Sequence, residues 1–143
     1  MTCIADANVV FALLVSSHPH HEIARNWWDG QADRSVGLHL LVRMAVLRLL
    51  SNRVAMNGAP ASPVDALKAW RSLADDPRCF DAVPPAAQDA LFKALVAQRE
   101  PSPNLWTDAW LAALALSLDC EMVTFDRGFR SFKGLRLRLP ETG

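Results

Sequence analysis

The chain has 143 residues, of which 51% are hydrophobic, and its 15 basic and 15 acidic side chains leave no formal net charge. This length allows a substantial core and is most simply one domain. Balanced charge provides no global electrostatic signature of a nucleic-acid binder, so any such site has to be a local one. No apolar run reaches the roughly 18–20 residues of a membrane span, and no signal-peptide pattern opens the chain. We therefore expect a cytoplasmic protein without membrane contact.

Strand-like and helical segments alternate along the chain. The first half predicts a strand over 2–5, helices over 6–17 and 17–30, a weak strand over 35–38 and a helix over 39–52. The second half predicts helices over 61–77, 84–100 and 102–119, strands over 78–83, 120–126 and 135–139, and a short turn or helix over 127–132. This alternation predicts an α/β fold in which a small parallel sheet carries helices on both faces, as a single domain over 1–143.

Two of the predicted helices have clear start signals. Ser62 is a plausible N-cap followed by Pro63 at the first helical position, and Ser17 is a plausible N-cap for the helix that contains HPHH. The HPHH histidines are interpreted as capping and surface residues because no second group of metal ligands accompanies them. The three cysteines (Cys3, Cys79 and Cys120) lack C-x-x-C spacing, which favours free thiols in a reducing compartment.

The helix predicted over 39–52 has an apolar stripe that is interrupted by an arginine. At 100° per residue, five apolar side chains cluster within about 60° of one direction. They are Leu40, Val46, Leu47, Leu50 and Val54. Arg43 lies at the centre of this cluster, and a guanidinium stays charged in proteins. The pattern therefore predicts a charged group pointing towards the interior, where it would need partners.

Aspartates stand where an α/β sheet binds its ligands. Asp6 ends the first strand in IADAN, and Asp126 ends a later strand in MVTFD. Ligands of such sheets bind beyond the carboxyl ends of the strands. Asp108 lies in or near the first turn of the apolar helix, where the helix dipole favours the ionised carboxylate. Each aspartate alone is also a common capping residue.

Three carboxylates at one edge of a sheet would repel one another, and a divalent cation is the obvious neutraliser. Mg²⁺ or Mn²⁺ held by aspartates and waters is the chemistry of phosphodiester hydrolysis. The positions of Asp6, Asp108 and Asp126 therefore favour a metal-dependent site.

The segments that contain these aspartates carry a family resemblance. IADANVVFALL at the start, LRLLSN in the middle and TDAWLAALALSLDCEMVTFDRGF near the end resemble a PIN domain, and more narrowly the VapC-like toxins of bacterial type II toxin–antitoxin modules. The resemblance covers essentially the whole chain. It implies an endoribonuclease that depends on Mg²⁺ (or Mn²⁺) and is usually a homodimer. It also implies neutralisation by a VapB-like antitoxin whose C-terminal peptide enters the active site.

The resemblance also assigns roles to individual residues. Asp6, Asp108 and Asp126 match the catalytic, metal-binding acids of the family. Asn8 matches a supporting polar position, and Thr124 matches the Ser/Thr that supports the last aspartate by hydrogen bonding. Arg127 and Arg130 follow Asp126 and are candidates for contacting RNA phosphates.

Arg43 departs from the family pattern, because the register set by LRLLSN places it where a second acid is usual. In one hypothesis it pairs with Asp6 or Asp108 and also contacts an RNA phosphate. In the other, the guanidinium takes the place of a cation, and the chain is a weakened or inactive PIN domain that binds antitoxin, RNA or both. An arginine about 6 Å from a divalent ion would oppose it by on the order of 5 kcal/mol at an effective dielectric near 20. A second metal beside Arg43 is therefore not expected.

Overall fold

The computed structural model describes residues 1–141, which form five strands and six α-helices. The strands are β1 (Cys3–Ala5), β2 (Val36–Leu38), β3 (Cys79–Asp81), β4 (Glu121–Val123) and β5 (Leu137–Arg138). The α-helices are α1 (Ala7–Leu14), α2 (His21–Asp29), α3 (Leu40–Leu50), α4 (Pro63–Ala74), α5 (Gln88–Val96) and α6 (Leu105–Ser117). A 3₁₀ helix spans Arg127–Ser131. Within residues 1–141, every helix is too short or too polar to cross a lipid bilayer.

The five strands form one parallel sheet in the order β3-β2-β1-β4-β5. The chain builds outwards from β1 to β3 and then returns to place β4 on the other side of β1. Right-handed crossovers therefore put α1 to α4 on one face and α5 with α6 on the other. Contacts of α1 with α2 and α3, and of α5 with α6, agree with this arrangement. The predicted α/β fold with a small parallel sheet is confirmed.

The reversal of strand order between β1 and β4 positions the functional edge of the sheet. The carboxyl ends of these two strands are neighbours, with Ala5 in register with Val123. Ligands of open α/β sheets bind at such a switch point. The residues that follow β1 and β4 are therefore placed side by side, although they lie at opposite ends of the sequence.

The starts of α4 and α2 show which sequence signals were sufficient to predict where a helix begins. α4 begins as predicted, since the Ser62 hydroxyl accepts a hydrogen bond of 3.1 Å from the Asp65 N–H and Pro63 is the first helical residue. The prediction for α2 is wrong at its start, because the helix begins at His21 and not after Ser17. Proline restricts the residue before it to extended conformations, so residues 17–20 form turns instead.

The predicted orientation of α3 is also wrong. Its buried side chains are Val42, Val46 and Leu50, whereas Arg43 is exposed. The helix ends at Leu50, so Val54 lies beyond it and is 87% exposed, and Leu40 is 53% exposed. Packing between α1 and α4 selects the row at i, i+4 and i+8, and this row does not include the arginine.

Candidate active site

Two carboxylates meet at the switch point of the sheet. The Asp6 N–H donates a hydrogen bond of 2.9 Å to the Val123 carbonyl, which fixes the end of β1 against the end of β4. The Asp6 side chain caps α1 by accepting from the Ala7 N–H at 2.8 Å. The Asp126 side chain caps the 3₁₀ helix by accepting from the Gly128 N–H at 2.8 Å. Each aspartate therefore acts as a cap and still directs its carboxylate to the shared edge.

A buried threonine joins these two aspartates. The Thr124 hydroxyl donates to Asp6 Oδ2 at 2.7 Å and accepts from the Asp126 N–H at 3.0 Å. Asn8 donates to the same hydroxyl at 3.2 Å and accepts from the Phe125 N–H at 3.2 Å. The structure thus brings Asn8 and Thr124 to the site, as the sequence suggested. The carboxylate that Thr124 contacts is that of Asp6, whereas Asp126 reaches Thr124 through its backbone.

Electrostatics link Asp108 to the same site. Asp108 lies in the first turn of α6, and its pKa is raised to about 6, chiefly by burial and then by the charges of Asp6 and Asp126. Burial also raises the pKa of Asp6, against the hydrogen bonds from Thr124 and Ala7, and the charge of Asp126 raises it further. We call Asp6, Asp108 and Asp126 the acid site, since each of them lies within electrostatic reach of the others.

The acid site suits a divalent cation by charge and donor type. Its ionisable groups are carboxylates that disfavour one another's ionised form, and a hard cation relieves that repulsion. In residues 1–141 no three acidic, histidine or cysteine side chains converge tightly enough to enclose an ion by themselves. Mg²⁺ is usually held by one or two carboxylates together with waters and substrate phosphate, so this looser arrangement fits it.

Arg43 does not join the acid site. None of the ion pairs formed within residues 1–141 includes it. Among the described residues, the charges that shift the pKa values of Asp6 and Asp108 are all carboxylates. The expected pairing of Arg43 with Asp6 or Asp108 is therefore not formed. The side chain instead lines a cavity at the ends of β2 and β3.

Arg127 and Arg130 occupy the 3₁₀ helix directly after Asp126, and both are exposed. Within the described residues neither belongs to an ion pair. Of the HPHH histidines, His21 is the first residue of α2, and His18 and His20 lie in the turn before that helix. There the His18 ring accepts from the His20 N–H at 3.0 Å, and the His20 ring lies 5.0 Å from that of Phe125.

Two supporting contacts could not be read from the sequence. Arg99, after α5, donates to the hydroxyl and carbonyl oxygens of Ser131 at 2.9 and 3.0 Å and lies over the Phe132 ring. It thereby ties the α5–α6 connection to the 3₁₀ helix that follows Asp126. His39 accepts from the Trp110 indole at 3.1 Å, which anchors α6 two residues after Asp108. Both contacts join distant segments, so no local pattern announces them.

The sequence matches the family profile of the PIN domain over residues 3–135. This span includes all three residues of the acid site. The chain belongs to the PIN domain family.

Relatives of this PIN domain are VapC ribonucleases. Ribonuclease VapC41 of Mycobacterium tuberculosis is 33% identical over 141 aligned positions, which cover 95% of this chain and 97% of the relative. The solved structure of VapBC-1 from nontypeable Haemophilus influenzae matches with a TM-score of 0.69 at 18% identity, covering 96% of this chain and 97% of that chain. The structure of VapC20 of Mycobacterium tuberculosis, described as a Sarcin-Ricin loop cleaving toxin, matches with a TM-score of 0.63 at 18% identity. The match covers 94% of this chain and 99% of that chain. The resemblance noted in the sequence is confirmed for family and fold.

Proposed function

We propose that this PIN domain is an endoribonuclease toxin that hydrolyses RNA phosphodiester bonds in the cytoplasm. The observation that carries the proposal is the acid site, where the neighbouring aspartate charges contribute to raised pKa values of Asp6 and Asp108. The names of its VapC relatives support the same reaction class. Residues 1–143 would form one PIN-like domain, since a single sheet accounts for every strand in residues 1–141.

Asp6, Asp108 and Asp126 are the proposed catalytic residues and the ligands of Mg²⁺ or Mn²⁺. When bound, the cation supplies Lewis acidity and positive charge against the scissile phosphate. Thr124 orients the Asp6 carboxylate, and Asn8 holds Thr124 and the backbone of Phe125 in place. Supporting hydrogen bonds of this kind fix the direction of a metal ligand before the ion arrives.

The arginines after β4 complete the proposed mechanism. Arg127 and Arg130 would bind phosphates on either side of the cleaved bond, because a guanidinium matches two phosphate oxygens at once. Cleavage would leave a 5′-phosphate and a 3′-hydroxyl. These end groups distinguish hydrolysis by an activated water from attack by the ribose 2′-hydroxyl.

The proposed partners are a VapB-like antitoxin and a second copy of the chain. VapBC-1, one of the matched structures, is by its name a toxin–antitoxin complex. Leu40, Met44 and Trp106 are large apolar side chains with about half of their surface exposed, and they are suitable for a protein interface. Size-exclusion chromatography with light scattering tests the homodimer directly.

The structure favours an active enzyme over a weakened binding module. An inactivating Arg43 would have to occupy the place of the cation, but no ion pair joins it to the acid site within residues 1–141. Asp6, Asp108 and Asp126 therefore remain available for one metal ion.

RNA cleavage with Mg²⁺ or Mn²⁺ by the unchanged chain, Asp6→Ala and Arg43→Glu tests the proposal. Cleavage by the unchanged chain that is lost in Asp6→Ala supports it. No cleavage by the unchanged chain, with a gain in Arg43→Glu, supports the weakened module. If all three are inert on a panel that includes transfer and ribosomal RNA, and calorimetry detects no Mn²⁺ binding, the metal-nuclease hypothesis fails.

A further inference from the structure

A cavity of about 420 Å³ opens between α3, α4 and the carboxyl ends of β2 and β3. We call it the Arg43 cavity, and the lining residues that matter here are Leu38, His39, Arg43, Trp70, Phe80 and Asp81. β2 lies beside β1, whose end carries Asp6, so the cavity and the acid site share one edge of the sheet. Its volume is in the range of small-molecule sites.

Two opposite charges are available inside this cavity. Arg43 comes from α3 and Asp81 from the end of β3, and both side chains are exposed. Neither belongs to an ion pair within residues 1–141. The cavity therefore presents a planar set of N–H donors and a carboxylate acceptor, and both are open to a ligand.

The remaining walls are apolar or already hydrogen-bonded. His39 uses both ring nitrogens, one with the Trp110 indole at 3.1 Å and one with the Ala82 carbonyl at 3.0 Å. It therefore shapes the cavity and has no ring nitrogen left for a ligand. Leu38, Trp70 and Phe80 contribute apolar surface. A ligand that fits has a flat apolar face together with donors and acceptors on its edge, as a nucleobase does.

We propose that the Arg43 cavity binds a guanine base of the RNA substrate, in a nucleotide next to the cleaved bond, with Arg43 and Asp81 as specificity-determining residues. Guanine presents the O6 and N7 acceptors that arginine binds in bidentate fashion. Its N1–H and N2–H₂ donors match the two oxygens of a carboxylate. Adenine lacks the O6 acceptor, and pyrimidines lack the O6 and N7 acceptor pair. This inference rests on the proposed ribonuclease function.

Binding of free nucleosides tests the cavity apart from catalysis. Guanosine has no phosphate, so in metal-free buffer the acid site is not expected to contribute to its binding. Amide NMR titrations are expected to show shifts at Leu40, Arg43 and Asp81, with guanosine binding about tenfold or more tightly than adenosine, cytidine or uridine. Arg43→Gln and Asp81→Asn should each weaken guanosine binding about tenfold or more. Arg48→Gln, the same change at an exposed position of α3 outside the cavity, should leave it unchanged.

Cleavage of short RNAs with one guanine at successive positions gives the second readout. The unchanged chain should cleave RNAs with guanine at one particular position fastest. In Arg43→Gln, the cleavage rate of that preferred RNA should fall to the rate of RNAs without guanine. Asp6→Ala should abolish cleavage while keeping guanosine binding, so a failed ribonuclease proposal is distinguishable from a failed subsite. Equal binding of all four nucleosides overturns the inference, and so does unchanged guanosine binding in both cavity variants. If only a peptide from the antitoxin shifts these amides, the cavity is a protein-docking site and the inference is wrong.

Discussion

The hydroxyl of Thr124 donates a hydrogen bond of 2.7 Å to the carboxylate of Asp6, across 118 positions of sequence. Thr124 is fully buried, so this bond is protected from competition with water. The bond favours the ionised carboxylate and partly offsets the rise in the Asp6 pKa that burial causes. A neutral threonine thus favours the charged form of an aspartate at a site where burial opposes that charge.

Replacing Thr124 by valine removes the hydroxyl but keeps the side-chain volume, so it should weaken metal binding at the acid site without creating a cavity. Thr124→Val is expected to reduce Mn²⁺ affinity and RNA cleavage by about 10- to 100-fold, the usual effect of losing a supporting hydrogen bond. Calorimetry with Mn²⁺ and single-turnover cleavage measure the two effects. Thr124→Ser retains the hydroxyl and should stay near the unchanged chain. Equal Mn²⁺ affinity in Thr124→Val would show that the bond has no part in metal binding.

The raised pKa of Asp108 should appear as a pH-dependent loss of stability in the metal-free protein. Because its pKa rises from 3.8 to about 6 on folding, the folded state binds this proton more tightly than the unfolded chain. Stability therefore falls as the pH rises through this interval, and the loss is complete above it.

Asp108→Asn removes this titration. With solvent screening allowed for, it should raise the free energy of unfolding at pH 7 by about 1 kcal/mol and Tm by about 2–4 °C. Thermal denaturation in EDTA measures the change, which should shrink towards pH 4. Mg²⁺ should raise the Tm of the unchanged chain more than it raises the Tm of Asp108→Asn. Asp33→Asn alters an exposed loop carboxylate and is the control; a gain of the same size there would refute the assignment to Asp108.

Gly37 in β2 should tolerate no side chain. A Cβ atom there would lie 2.7 Å from Phe80 Cζ, 2.8 Å from Ile4 Cδ1 and 3.0 Å from the Cys3 carbonyl oxygen. Gly37→Ala is therefore expected to lower the free energy of unfolding by about 1–3 kcal/mol, as overpacked cores do. Urea denaturation measures it. In Gly30→Ala the nearest atom is 3.6 Å away, and this control should change stability by less than about 1 kcal/mol.

The hydrogen bond between His39 and Trp110 should give a measurable coupling free energy between these two residues in the stability of the protein. His39→Leu leaves the Trp110 indole N–H and the Ala82 carbonyl without their partner, at a cost of about 1–3 kcal/mol. Trp110→Phe removes the same indole bond from the other side. A double-mutant cycle by urea denaturation should give a coupling of about 1 kcal/mol. A coupling near zero would mean that this bond does not hold α6 in place.

The start of α4 and the positions of the three aspartates could be predicted from the sequence, because each depends on local signals. Ser62 and Pro63 define a helix start by their own chemistry, and Asp6 and Asp126 follow strands whose buried residues are apolar. In a parallel sheet the ends of neighbouring strands share an edge, so position along the chain was sufficient to bring these aspartates together.

The orientation of Arg43 could not be predicted in the same way. A helical wheel counts apolar residues, but the buried face of α3 depends on where the helix ends and on packing against α1 and α4. The bonds of Arg99 to Ser131 and of His39 to Trp110 span 32 and 71 positions. Contacts of that separation follow only from the assembled fold.

The position of β4 between β1 and β5 has a consequence for the synthesis of the protein. Asp6 is made before Thr124, which donates a hydrogen bond to its carboxylate and follows 118 residues later. At about 5–20 residues per second, translation needs between about 6 and 24 s to cover that distance. Until β4 has left the ribosome and paired with β1, the chain has no complete acid site. If the acid site cleaves RNA as proposed, the growing chain therefore becomes competent for cleavage only after β4 has paired with β1.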